Sequence, residues 1–426
     1  MKRLQSPLEW FVLAALVLRP ALDLFTDTGL RLGSLNLNPA SLLSLALIAS
    51  AMLWLGTLSP EQRGRLRRSP LLLCFALWVG LLSLWATLPL FHDYLWGSPR
   101  FIGIREWFRL LSTLMLSVVV LGIAQREGKA RVLTALFLSF GLPALAGLYQ
   151  ILFQQGLLVK DVQRIQGTFV HPNPFSFYLV LMLGLTFWAW RTGARKGRWA
   201  ALLLLELVLL VFTYSFTGAA MLATLVLTLA LGENRRLRLL ALVFMLLFVG
   251  LFLGTPIGRQ RLKTELKLEQ LDEIERTGRE TSSLTWRLLN WRFLYREWKA
   301  APWLGHGLNT SKYINPMLKK ETSQGFDPHN DYVRYLAETG AIGLMLFLLF
   351  LAGTGAALWR AGQAAPPGEP RQFALMAMAV FAAWLVGSCN DNLITATGYQ
   401  YALWAVFAVA AATASNPTAS TTGLKT

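Results

Sequence analysis

Asp327-Pro-His-Asn-Asp-Tyr-Val-Arg-Tyr-Leu-Ala-Glu-Thr-Gly-Ala-Ile-Gly-Leu-Met-Leu-Phe-Leu-Leu-Phe-Leu-Ala-Gly-Thr-Gly-Ala-Ala-Leu-Trp359 runs a polar segment with one histidine directly into an uncharged apolar stretch. The apolar part, Gly340 to Trp359, has the length of about 20 residues that crosses the hydrocarbon of a bilayer as a helix. A titratable side chain at the edge of such a span lies where water meets lipid. Chemistry in a membrane protein gathers there.

Comparable runs recur along the whole chain. About twelve segments satisfy the length criterion, with approximate limits 8–25, 38–57, 70–90, 104–124, 132–153, 172–190, 199–214, 217–232, 239–257, 340–359, 372–390 and 398–414. Composition agrees: 54% of the 426 residues are hydrophobic and 15% are charged, with a mean hydropathy of +0.46, where a soluble protein carries about 25% charge. The sequence therefore predicts an all-α polytopic membrane protein. Several of its 16 tryptophans fall near span ends, where amphipathic rings prefer the interface.

The net charge of +17 is placed in short loops rather than in one basic face. Arg63, Arg65, Arg67 and Arg68 follow the second span; Arg126, Lys129 and Arg131 the fourth; Arg191, Arg195, Lys196 and Arg198 the sixth; Arg235, Arg236 and Arg238 the eighth. Every one of these clusters follows an even-numbered span, and the basic N-terminus agrees, which puts those loops and both termini in the cytoplasm. That placement argues against nucleic-acid binding, which needs a continuous basic surface. Cys74 and Cys389 both lie in apolar runs, so no disulfide framework is expected. Met1-Lys-Arg and the run to Phe25 lack a small-residue cleavage site and read as a first span.

The expected organisation is nine spans over 1–257, a large outward helical segment over 258–339, three more spans over 340–414, and a cytoplasmic tail over 415–426. Within the outward segment, Arg259 to Arg279 reads as an amphipathic surface helix, with Leu262, Leu266, Leu271 and Ile274 on it. Ser282 to Ala300 reads as a second helix, ended by Pro302 and a Gly305-His-Gly307 turn. A third helix begins near Asn330 and runs on into the tenth span. No internal repeat is visible, so an inverted-repeat transporter has no support.

Three outward passages hold the residues suited to chemistry: Gln163-Arg-Ile-Gln-Gly-Thr-Phe-Val-His-Pro-Asn-Pro-Phe175; Trp286-Arg-Leu-Leu-Asn-Trp291 with Pro302-Trp-Leu-Gly-His-Gly307; and the passage of His329. They bring Arg164, Arg287 and His329 to one membrane face. Arginine binds phosphate oxygens through a planar, permanently charged fork, so the set suits a phosphate-bearing lipid substrate. Asn173, Asn330, Trp291, His306 and Arg19 are the candidate substrate-binding residues around it. His329, Asp327 and Asp331 are close in sequence, but no further cluster completes a metal shell, so no metal and no cofactor are expected.

These passages resemble the O-antigen ligase and polymerase superfamily of bacterial membrane glycosyltransferases. The likeness rests on Arg164…Gly167…Pro172-Asn173, on Arg287…Trp291…Pro302-Trp-Leu-Gly-His-Gly307, and on His329…Gly340, and covers roughly 160–350. One departure is the passage Tyr214-Ser-Phe-Thr-Gly-Ala219, which has no arginine where relatives often carry one. The resemblance implies transfer of a glycan from a polyprenyl (undecaprenyl) pyrophosphate to an acceptor hydroxyl on the periplasmic face of the inner membrane. It further implies inversion at the anomeric carbon, without metal or nucleotide sugar. The acceptor is the lipid A core for a ligase, the reading preferred here, or a second lipid-linked glycan for a polymerase; a protein oligosaccharyltransferase is a third class.

Several roles stay open at this level. His329 fits either a general base on the acceptor hydroxyl or a hydrogen-bond donor to the pyrophosphate, and it could simply cap a helix. Arg164 could neutralise Asp161, Arg287 could face lipid headgroups, and Arg19 could pair with Asp23 or line the substrate cavity. His306 and His171 have turn or interface readings. Arg334 and Glu338 are spaced to pair within one helix. The rival from another class is a lipid-linked saccharide flippase, which would line its interior with charges.

Overall fold

A computed structural model describes residues 2–25, 28–32, 35–92, 100–159, 162–231, 235–266, 283–316 and 327–415. Each of the twelve expected apolar segments lies in a helix: α1 (Lys2–Leu18, continued by a 3-10 turn at Arg19–Phe25), α2 (Pro39–Thr57), α4 (Pro70–Thr87), α5 (Ile102–Glu127), α6 (Ala130–Leu152), α7 (Pro172–Thr192), α8 (Lys196–Phe212), α9 (Phe216–Leu231), α10 (Arg235–Gly254), α14 (Asp331–Ala364), α15 (Glu369–Ser388) and α16 (Thr397–Ser415). Six of them, α2, α4, α5, α6, α14 and α15, are long and apolar enough to cross a membrane among the described residues. Between these lie α3 (Pro60–Arg67), α11 (Pro256–Leu266), α12 (Ser283–Ala300) and α13 (Ser311–Ile314). Two small antiparallel hairpins complete the fold, β1 (Leu30–Leu32) with β2 (Leu35–Leu37) and β3 (Leu157–Val159) with β4 (Val162–Arg164).

Local chemistry explains the helix starts. Proline opens α2, α3, α4 and α7, where its missing N–H is no loss. The Asn38 side chain caps α2, and Ser59 with Gln62 forms a reciprocal capping box on α3. The core is aromatic: Trp78 stacks on Phe350 with ring centroids 4.2 Å apart, and Phe75 stacks on Trp404 at 4.0 Å. These contacts lock α4, α14 and α16 together. Outside, Leu53, Leu84 and Leu145 are largely exposed, the pattern of a lipid-facing surface.

The segment over 258–339 holds helices where it is described. The surface helix expected over Arg259–Arg279 is described only as far as α11, and 267–282 lie outside the described residues; so do most of the tail, 416–426, and Asp161. The second helix is α12. The third runs from Asp331 into the tenth apolar segment as the single helix α14, bent at Gly340 where φ is +68°. Into that bend packs the turn after α12. Ala341 N donates to Pro302 O at 2.8 Å, and Gly307 N to Glu338 O at 2.7 Å. A Cβ on Gly340 would stand 2.3 Å from the Trp303 backbone, and one on Gly305 would stand 2.5 Å from that of Glu338. Both glycines are therefore required by close backbone approach as well as by positive φ.

Candidate active site

Arg164 ends the β3–β4 hairpin and is buried. Its Nε donates to Thr213 O at 2.7 Å and its Nη2 to Asn173 Oδ1 at 2.8 Å. The following turn is clamped by Gln150, whose Oε1 accepts Gln166 N and Gly167 N, both at 2.9 Å. His171 then caps α7 by accepting Asn173 N at 3.2 Å. Thr213 closes α8, just before the passage 214–219. The end of α8 thus reaches the site through a backbone carbonyl.

From Asn173 the hydrogen bonds continue. Its Nδ2 donates to Asp391 Oδ2 at 2.6 Å, and Asp391 Oδ1 lies 2.9 Å from His329 Nδ1. Asn392 N also donates to Asp391 Oδ1, at 2.8 Å. Burial alone would raise the Asp391 carboxyl, but His329, then Arg287 and the Asn392 N–H, outweigh it and hold the group well below the usual carboxylate range. An ionised Asp391 accepts a hydrogen bond from Nδ1–H, the tautomer in which the lone pair of an uncharged ring sits on Nε2. The His329 side chain is 34% exposed, so that nitrogen is reachable. Its backbone sits at φ +50°, a left-handed conformation uncommon for a non-glycine residue and one that concentrates at functional sites.

α12 carries the other wall. Trp291 Nε1 donates to Pro328 O at 2.7 Å, and Asn290 Nδ2 to Asp327 O at 3.1 Å, so the helix grips the backbone just before His329. Trp286 meets the His329 ring edge-on with centroids 5.7 Å apart. Arg287, on the same face, is half-buried, and its Nε bonds to nothing among the described residues. Its charge helps depress both Asp391 and His171. The His171 imidazole is pulled down to about 4, first by burial, then by Arg164, with His329 and Arg287 adding and Asp391 opposing. Arg164, Arg287 and His329 therefore share one electrostatic neighbourhood.

The remaining candidates have distinct placements. Asn330, not His329, caps α14, accepting Tyr332 N at 2.9 Å and Val333 N at 3.1 Å, while its Nδ2 donates to Cys389 O. His306 Nε2 lies 3.1 Å from Glu297 O and fastens the glycine turn to α12. Arg19 pairs with Asp23 at 2.5 Å, one of the two arrangements left open by the sequence. Arg334 pairs with Glu338 at 3.0 Å, as its spacing suggested, and reaches Glu106 at 3.3 Å. Among the described residues, Glu9 of α1, paired with Arg126, and Glu206 of α8, bonded to Thr186, are acids buried mid-helix.

Sequence reading missed Asp391. The signal was present: Ser388-Cys-Asn-Asp-Asn392 puts a carboxylate in the short loop between the last two apolar segments.

Residues 199–348 match a family described as O-antigen ligase, and no curated protein matches the chain. The matched region carries Arg287, the glycine turn, His329 and Gly340; Arg164 lies before it. With six helices able to cross a bilayer, this is a membrane protein. The part of the chain over 199–348 is thus similar to the O-antigen ligase family, in the superfamily that its motifs resemble.

Proposed function

We propose that the protein is a membrane glycosyltransferase of the O-antigen ligase type, taking a glycan from a polyprenyl pyrophosphate to an acceptor hydroxyl at the outward face of the bacterial inner membrane. The family domain supports glycosyl transfer in O-antigen ligation or polymerisation. The single observation that carries the chemistry is the Asp391–His329 contact at 2.9 Å beside the unbonded Nε of Arg287. It favours the base role for His329 over the donor role.

In this reading His329 Nε2 takes the acceptor hydroxyl proton as the new glycosidic C–O bond forms. The bond from the anomeric carbon to the pyrophosphate oxygen breaks on the opposite side, which inverts the centre. The departing lipid pyrophosphate gains charge, and Arg287 is aimed at it in place of a divalent ion. Arg164 holds the assembly through Asn173 and Asp391, and the segment 258–339 serves as the lid. The acceptor reading is the lipid A core.

The test is transfer in proteoliposomes from a polyprenyl-pyrophosphate saccharide to either lipid A core or a second lipid-linked unit, with and without chelator. Product on the core, lost in His329→Ala and Arg287→Ala and insensitive to chelator, is expected. Elongated lipid-linked product would make the enzyme a polymerase. Lipid movement across the bilayer without any product would replace the enzyme reading by the flippase.

A further inference from the structure

The end of the bundle away from His329 holds a cavity of about 390 Å³ that the proposed reaction does not use. Its position follows from helix direction. α14 starts beside His329 and Arg360 lies near its far end, while Gln125 and Ala411 are likewise near the C-termini of α5 and α16. From Gly340 to Arg360 a helix rises about 30 Å, the thickness of bilayer hydrocarbon. Trp359, 57% exposed, sits next to Arg360 as an interfacial tryptophan would. The cavity therefore opens at headgroup level on the face with the basic loops.

Its lining has two characters. Arg65, Arg68 and Arg360 supply positive charge from two separate parts of the chain. Arg65 lies 3.7 Å from Glu61, whereas Arg68 and Arg360 are in no ion pair among the described residues. Pro70 opens α4 at the cavity, and Ser69 gives that helix no side-chain cap, so its positive end is left there too. The inner wall is apolar, with Ala357, Ala361 and Ala411. Small side chains there leave room for a chain to lie between the helices.

We propose that this cavity binds the phosphodiester headgroup of an anionic phospholipid of that leaflet, with an acyl chain against the alanine wall. The charge selects the phosphate, and the apolar wall selects a lipid over a free anion. Basic pockets between membrane helices on the cytoplasmic side suit such headgroups. The site is separate from the His329 cluster, so its failure would leave the transfer reading untouched.

The purified full-length protein in detergent would be titrated with phosphatidylglycerol, with phosphatidylcholine of the same chains, and with inorganic phosphate, and bound molecules counted by native mass spectrometry. Phosphatidylglycerol should be retained in preference, and Arg68→Ala/Arg360→Ala should lower that retention on the order of tenfold or more. Ala364→Leu, which narrows the cavity rim without changing charge, should also lower it. Equal retention of both lipids, or a preference untouched in the double variant, would overturn the proposal. So would inorganic phosphate displacing the bound lipid at equal concentration, which would make this a free-anion site.

Discussion

Two polar clusters flank the first turns of α14, and they differ in what they leave open. On one side Arg334, Glu338 and Glu106 are each 1% exposed or less. Glu338 also accepts Asn309 N at 2.7 Å and Ser311 N at 3.3 Å, so one carboxylate ties the glycine turn and α13 to α14. On the other side, Asp391 holds His329 by one nitrogen, with the ring edge in reach of solvent and Arg287 nearby. Buried charges survive when they are paired and hydrogen-bonded. The closed cluster pairs its charges within the protein, with Glu106 also 2.9 Å from Arg109, although Arg334 Nη1 makes no hydrogen bond there among the described residues. In the proposed reading, the open one leaves His329 and Arg287 for a substrate to complete.

The largest effect that could break this contrast is loss of the base. His329→Ala should lower transfer by about 10²–10⁴-fold, the range of general base catalysis, with a smaller fall in melting temperature in detergent than loss of a fully buried ion pair gives. Transfer at the wild-type rate would remove chemistry from the open cluster. Arg334→Ala should do the reverse. Removing one member of a buried ion pair costs about 3–5 kcal/mol, so melting should fall steeply while the specific rate of the folded fraction persists. A stable but inactive Arg334→Ala protein would show that the closed cluster also takes part in catalysis.

Asp391→Asn sharpens the comparison. The amide keeps the bulk but can present its N–H₂ to His329, which favours the wrong tautomer. A loss no larger than that of His329→Ala, as expected of a group that orients a reacting imidazole, should appear in kcat rather than KM. A change confined to KM would make Asp391 a substrate contact instead.

These roles were unequally legible in the sequence. The apolar periods carried the helices, because a chain in lipid must bond its own backbone and spanning segments advertise themselves by length. The Arg334–Glu338 pair was readable from i, i+4 spacing alone. Gly340 was visible as part of a motif, but its reason, the Trp303 backbone lying against it, comes from a turn nearly forty residues earlier in the chain. Asp391 stands 62 residues from His329. No local pattern links two loops at that separation; only the packing of α15 and α16 beside α14 brings them together.

The smallest effect concerns His171, which lies between the two kinds of cluster: a cap by hydrogen bonding, yet within the field of the open site. Its folded-state imidazole is depressed to about 4, while an unfolded histidine titrates near 6.5. Below about 6.5 the unfolded chain therefore binds more protons, and stability falls as the pH drops toward 4. Beneath that the folded protein takes the proton too, and the loss levels off. Asp391 acts in a different window, since a depressed carboxyl contributes fully above its unfolded value near 3.9 and is lost only at lower pH. His171→Asn keeps a capping oxygen for Asn173 N but carries no titrating ring. The difference in melting temperature between wild type and His171→Asn should thus be constant above pH 6.5 and shift against the wild type between pH 6.5 and 4. A difference that stays flat through that interval would mean that His171 takes its proton as readily in the folded protein as in the unfolded one, and that neither burial nor the positive field of Arg164 holds it down.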